Sequence, residues 1–267
     1  MTAQRAIVTG CSSGIGRATC LELTARGYDV IATARRAETL ADLKVAHRLT
    51  LDVDSDESVD RVREEVGTVD VLVNNAGFGV DGSVEDVPLS DVRRMFETNF
   101  FGPARMIKAF LPGMRERGSG AVVNVTSTAG IASSPLGGYY SASKFALEAL
   151  SESLNIEAGH FGVKVRVIEP GYIETSFQQN LVDFRVEPGP YRPLAQLWEG
   201  ALGTLRGGAP APGPELVASV IADSLTSDSP RLRWPVGADA ELVASARQSM
   251  NYEEFVEAMR QLLHIDW

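Results

Sequence analysis

The sequence predicts an α/β protein in which helices cover both faces of a parallel sheet. Three observations predict it. Short β-rich runs alternate with longer amphipathic stretches through most of the chain. A glycine-rich turn, Gly10-Cys11-Ser12-Ser13-Gly14-Ile15-Gly16, separates the first such run from the first helical pattern. Gly10, Ala34, Asp52, Asn75, Ser127 and Pro170 all follow directly on strand candidates, where ligands of parallel sheets bind.

Arg5-Ala6-Ile7-Val8-Thr9 reads as a short buried strand, and a helical pattern runs over 14–26 behind the glycine turn. Strand, glycine turn and helix N-terminus together make an anion site, because backbone N–H groups and the helix dipole point at a phosphate and glycines let it approach. The spacing is G-x-x-x-G-x-G rather than G-x-G-x-x-G. Further strands are expected at 28–33, 47–51, 69–74, 120–126 and 163–168. Helices are expected at 37–43, 55–66, 90–117, 140–161, 214–226 and 252–264.

Residues 176–214 break the alternation. The stretch holds six prolines and six glycines, all between Pro188 and Pro214, and the large apolar residues Phe177, Leu181, Phe184, Leu194, Trp198 and Leu205. A long connection inside a compact domain is usually functional or disordered, and so many large apolar residues argue against plain disorder. The segment is expected to be a mobile lid with a short helix near 194–205, inserted into a single domain spanning 1–267 with a C-terminal extension over 230–267. Within that extension, Tyr252 to Leu263 is amphipathic at helical spacing. It could cover the substrate cleft, a subunit interface or only its own domain.

The chain has 267 residues, 44% hydrophobic and 22% charged, which suits one domain with a large core. Its net charge of −10 argues against a nucleic-acid surface and against binding anionic membranes. No apolar run is long enough for a membrane helix, and a strand starting near Arg5 leaves no room for a signal peptide. The two cysteines, Cys11 in the turn and Cys20 in the helix behind it, are expected to be free thiols in a reducing cytoplasm; a redox role for Cys11 stays open. His47, His160 and His264 show no metal-ligand spacing.

Tyr140 and Lys144 stand four apart in Tyr139-Tyr140-Ser141-Ala142-Ser143-Lys144. On a helix that spacing stacks both side chains on one face, with an axial rise of about 6 Å. A lysine cation beside a phenol favours the phenolate and lowers its pKa. A free tyrosine, at about 10, is a poor general acid or base at neutral pH; a shift of about three units corresponds to roughly 4 kcal/mol. Tyr139 lies five residues from Lys144 and faces elsewhere.

Taken in order, Thr9-Gly10-Cys11-Ser12-Ser13-Gly14-Ile15-Gly16, Asn74-Asn75-Ala76-Gly77, Asn99, Ser127, Tyr140-x-x-x-Lys144 and Pro170-Gly171 resemble the short-chain dehydrogenase/reductase family, strongly over about 4–175. The stretch from Asn75 to Phe177 is most similar to retinol and 17β-hydroxysteroid dehydrogenases and their bacterial relatives. The resemblance implies a Rossmann-type, doubly wound sheet and a nicotinamide cofactor. It implies that Gly10, Ser12, Ser13, Gly14, Ile15 and Gly16 hold the cofactor's phosphates, that Asp52 meets its adenine edge, and that Asn75, Ala76 and Gly77 let the backbone approach its ribose. Asp52 could instead only precede the helix at 55–66. Pro170, Gly171, backbone at Ile173 and the Thr175 hydroxyl would hold the nicotinamide carboxamide, which needs a donor and an acceptor.

NAD-preferring proteins usually end the second strand with an acidic residue for the ribose 2′-hydroxyl. Here that strand runs into Ala34-Arg35-Arg36. A guanidinium at Arg35 can take a 2′-phosphate bidentately, which predicts NADP(H) over NAD(H).

The implied chemistry gives Tyr140 the proton transfer, with Lys144 lowering its pKa and binding ribose hydroxyls. Ser127 would hold the substrate oxygen, and Asn99 would interrupt its helix and hold a water in the proton path. The expected function is NADP(H)-dependent interconversion of an apolar ketone or aldehyde and its alcohol. A non-catalytic NADP(H)-binding sensor or scaffold on the same fold is the alternative, followed by an epimerase or dehydratase relative. Relatives pair through helices matching 90–117 and 140–161, so a homodimer or homotetramer is expected.

Overall fold

The computed structural model describes residues 3–186, 188–205 and 207–267. In chain order its elements are β1 (Arg5–Val8), α1 (Gly14–Ala25), β2 (Asp29–Ala34), β3 (His47–Thr50), α2 (Asp56–Val66), β4 (Val71–Asn74), β5 (Val80–Asp81) and α3 (Leu89–Phe96). There follow α4 (Gly102–Arg117), β6 (Gly120–Val125), α5 (Gly138–Gly159), β7 (Val163–Pro170), β8 (Val182–Asp183), α6 (Arg192–Leu205), α7 (Pro214–Thr226), β9 (Arg233–Val236), α8 (Ala238–Ser249) and α9 (Tyr252–Leu263).

Seven strands form one sheet in the order β3-β2-β1-β4-β6-β7-β9, and every neighbouring pair is parallel. This is the expected doubly wound, Rossmann-type architecture. Alternation along the strands makes two cores. Ala6 and Val8, Val30 and Ala32, and Val71 and Val73 face α1 and α7, where Leu23, Val217 and Ile221 meet them. Ile7, Ile31, Leu72 and Val122 face the other way, onto Val62, Met106, Phe110 and Leu154 of α2, α4 and α5. Strands buried on both faces read as continuous apolar runs, which is why the inner strands were legible. The strand order reverses between β1 and β4, and this opens a crevice at the carboxyl ends of the strands.

The interruption implied at Asn99 is found: a π-helical segment, Glu97–Phe101, breaks the helix expected over 90–117. Three expectations need correction. Residues 37–43 hold only one 3₁₀ turn, Ala37–Leu40. The helix of the 176–214 segment begins at Arg192, two residues before the expected start. The C-terminal extension adds β9 and α8, which no strand or helix candidate covered. β9 holds Pro235; a proline breaks the strand pattern but is tolerated at a sheet edge, which is where β9 lies. A second, two-stranded ribbon pairs β5 with β8. Among the described residues no helix is long and apolar enough to cross a membrane, and no cluster of His, Cys, Asp and Glu could hold a metal ion.

Candidate active site

A cleft of about 1240 Å³ runs across the crevice, and every site residue expected from the sequence lines it except Gly16 and Asn99. At its floor the turn between β1 and α1 is packed to backbone contact. Gly10 has φ +72°, and a Cβ there would lie 2.8 Å from Ala76 Cα. A Cβ on Gly16 would meet Asn75 Nδ2 and the Gly10 carbonyl, so Gly16 permits the turn without facing the cleft. Asn75 ties the turn down, donating Nδ2 to Thr9 O at 2.9 Å and Gly10 O at 3.2 Å. Thr9 Oγ1 accepts from the Asn75 and Ala76 backbone N–H groups, both at 3.0 Å. The Asn75 side chain is therefore a brace for the glycine turn. Helix α1 opens at Gly14 behind Ser13, whose hydroxyl receives a hydrogen bond from Ser176 at 2.7 Å.

One end of the cleft is basic. Arg35 and Arg36 follow β2, are exposed, and line the cleft beside Asp52. Asp52 Oδ1 accepts from the Asp54 N–H at 3.2 Å, while the Asp52 N–H donates to Ser58 Oγ in the first turn of α2. The carboxylate thus holds the turn before α2, and its residue lines the cleft.

At the other end α5 presents Tyr140 and Lys144. Lys144 is buried, and its Nζ donates to Val125 O at 3.1 Å and sits 5.8 Å from the Tyr140 ring centroid. Burial pulls the ammonium down to about 8, and Glu148, one turn further along α5, holds it up. Burial pushes the Tyr140 phenol above its ordinary value, a hydrogen bond with Ser127 draws it down, and Asp81 pushes it up again. The direction is opposite to the lowered phenol expected from the sequence: desolvation outweighs the hydrogen bond with Ser127. Tyr139 points away, its hydroxyl donating to Val84 O at 3.1 Å. Ser127 lies just after β6, and its Oγ accepts from the Ala129 N–H at 3.1 Å.

Asn99 is fully enclosed in the π-helical segment. Its Nδ2 donates to Phe78 O and Ser143 Oγ, both at 3.0 Å, and its Oδ1 accepts from the Phe78 N–H at 3.1 Å. The amide clamps the strand exit after Gly77 onto α5. A Cβ on Gly77 would lie 3.0 Å from Asn99 Oδ1 and 3.7 Å from Lys144 Nζ.

The segment Pro170–Thr175 crosses between the two ends. Asp239 of α8, absent from the sequence-based site, fixes it: Oδ2 accepts from the Tyr172 N–H at 2.7 Å, and a Cβ on Gly171 would collide with the same carboxylate. Thr175 packs beside Gly14. Residues of the 176–214 segment and of α9 wall the far side, including Phe177, Leu181, Trp198, Phe255 and Met259. Phe177 meets the Tyr140 ring at 5.8 Å between centroids. The amphipathic C-terminal helix thus faces the cleft, one of the three positions its sequence left open. Both cysteines are free and buried, with sulfurs 3.3 Å apart.

The residues present fit a dinucleotide: a glycine cradle at a helix N-terminus, arginines at one end and a buried lysine beside a phenol at the other. Residues 4–185 match the family described as short chain dehydrogenase. Human retinol dehydrogenase 8 is 41% identical over 189 residues, covering 66% of this chain and 61% of that protein. A short-chain dehydrogenase from Streptomyces avermitilis superposes with a TM-score of 0.82 at 35% identity, covering all of both chains. A short-chain dehydrogenase from Burkholderia cenocepacia, solved in complex with NADP, superposes with a TM-score of 0.78 at 25% identity, covering 99% of this chain and 98% of that one.

Proposed function

The chain belongs to the short-chain dehydrogenase/reductase family of oxidoreductases, and from that premise we propose that it interconverts an apolar ketone or aldehyde and its alcohol with NADP(H). The observation that carries this reading is the meeting of Tyr140, Ser127 and Lys144 at one end of a glycine-cradled cleft whose other end carries Arg35 and Arg36. When bound, the nicotinamide cofactor supplies or accepts the hydride.

The chain's own residues manage position and one proton. Ser127 Oγ holds the substrate oxygen, and Tyr140 passes its proton to that oxygen in reduction or takes one in oxidation. A phenol kept protonated by burial is in the state that reduction needs. Lys144 stays cationic at neutral pH, since its value of about 8 lies above it, and it favours the phenolate left behind. Asn99 positions α5 against the strand exit. Arg35 is the group for a 2′-phosphate; the NADP bound by the Burkholderia protein is consistent with that preference. The apolar wall from Phe177 to Met259 favours an apolar substrate body.

The test is a panel of ketones, aldehydes and alcohols with NADPH or NADP⁺, followed by nicotinamide absorbance. Carbonyl-dependent loss of NADPH is the expected result. Tight NADPH binding with no turnover of any carbonyl or alcohol would favour the sensor reading instead.

A further inference from the structure

Leu136 stands between Ser127 and Tyr140, just before α5, and its backbone lies at φ +61°. A residue with a Cβ rarely adopts that conformation, and a bulky one keeps it only where its surroundings fix it. Glycine would accept it freely. Gly137 and Gly138 follow directly, yet Gly137 sits at φ −112°. The strain therefore falls on a residue with a large side chain, and what that residue touches must hold it.

Three contacts do so. The Leu136 carbonyl accepts from the Gly82 N–H at 2.7 Å, which ties the turn to the end of β5. The buried side chain packs in one apolar cluster with Leu194 and Ala195 of α6 and with Ile265 of the C-terminal tail. Ile265 reaches it because His264, the other non-glycine residue at positive φ among the described residues, turns the chain at the end of α9. The Ile265 N–H then closes on Arg260 O at 3.1 Å. A cavity of about 130 Å³ borders Leu136 and Tyr191, so the turn has room to relax once this grip loosens. On its other side the turn carries α5. The Gly137 carbonyl accepts from the Ser141 N–H at 2.8 Å, in the helical turn that holds Tyr140 to its hydrogen bond with Ser127. Gly137 and Gly138 have no side chains that could pin this entry. Neither Leu136 nor Leu194 lines the cleft, so both act on the reaction only through what they hold.

Resting on the reaction assigned above, we propose that Leu136 is a positioning residue that makes proton transfer depend on a docked lid. α6 and the C-terminal tail clamp its side chain, the clamp keeps the turn at positive φ, and the turn sets Tyr140 against Ser127. With the clamp released the turn relaxes and the phenol leaves its place, while the glycine cradle at the far end of the cleft is untouched. Tyr140 then passes its proton only when the lid covers the substrate.

The test measures kcat, KM and NADPH affinity in Leu136→Ala, Leu136→Gly, Leu194→Ala and the double variant Leu136→Ala/Leu194→Ala, together with amide hydrogen exchange. Leu136→Ala and Leu194→Ala should each lower kcat by about ten- to hundredfold, the effect of a misplacement of about 1 Å, with NADPH affinity unchanged. The double variant should lose no more than the worse single one, because both substitutions remove the same clamp. Leu136→Gly should keep more kcat than Leu136→Ala, since glycine takes φ +61° without strain; lost packing alone would give the reverse order. In Leu194→Ala the Gly82 amide, held by Leu136 O, and the Ser141 amide, held by Gly137 O, should exchange faster, while the Thr9 amide, held by Val73 O, exchanges as in the wild type. Losses that multiply in the double variant would overturn the proposal, as would a Leu136→Gly variant slower than Leu136→Ala. Unchanged exchange at Gly82 and Ser141, or equal acceleration at Thr9, would also overturn it. The expected exchange pattern in a protein that turns over no carbonyl would fault the assigned reaction and support the clamp.

Discussion

Burial acts on both Tyr140 and Lys144, keeping the phenol protonated and pulling the ammonium down. The sequence shows the pair and its helical spacing, and both are found. It does not show how dry the cleft is, and desolvation reverses the expected direction for the phenol. Arg35 is the other residue that the sequence reveals well, because its position after β2 is fixed by chain order. Replacing Arg35 with Asp should lower the kcat/KM for NADPH relative to NADH by about ten- to hundredfold, the worth of a charge-assisted hydrogen bond. An unchanged ratio would make Arg35 a solvated turn residue. Asp239 was missed for a physical reason: it is a single acid with no motif around it. Asp239 gains meaning only when β9 brings α8 beside Gly171.

At the scale of elements, the seam of α5, β7 and β9 holds a feature with consequences for stability. Arg233 of β9 donates Nε to Glu148 Oε2 at 3.0 Å, and Glu169 Oε1 of β7 lies 3.3 Å from the same nitrogen without a hydrogen bond. Burial first, and then Glu148, raise Glu169 from 4.5 to about 8, against the pull of Arg233. A carboxyl raised in the folded state takes up a proton on folding, so its contribution is complete below about 4.5 and is lost as pH rises through about 8. Glu169→Gln, which mimics the protonated form, should therefore raise Tm more at pH above 8 than near 5. A pH-independent shift would contradict this. The same scale shows what a sequence pattern hides. Periodicity alone reads residues 90–117 as one helix, and only the family resemblance marked a break at Asn99; there Phe78 and Ser143 capture the amide and the helix opens into a π turn. Both partners lie at least 21 residues away, beyond the reach of local periodicity.

For the whole molecule, the alternation of strands and helices was enough to give the sheet, because every inner strand is buried on both faces. The wall of the cleft was not, since it is built from three distant parts: the β5–β8 ribbon, α6 and α9. Exposed apolar side chains remain on the long helices, with Phe145 and Ile156 on α5 and Phe101 at the start of α4. A second copy of the chain pairing through this face would cover them. Phe145→Glu should then shift the protein from dimer or tetramer towards monomer in size-exclusion chromatography with light scattering; a wild-type monomer would contradict the pairing.

The account depends most on the Tyr140 hydroxyl as the proton-transfer group, and the direct measurement is turnover and NADPH affinity of Tyr140→Phe side by side. The predicted result is a loss of kcat of about 10²–10⁴-fold with NADPH affinity close to that of the wild type. A variant that keeps most of its turnover, with the same substrate and cofactor, would contradict it.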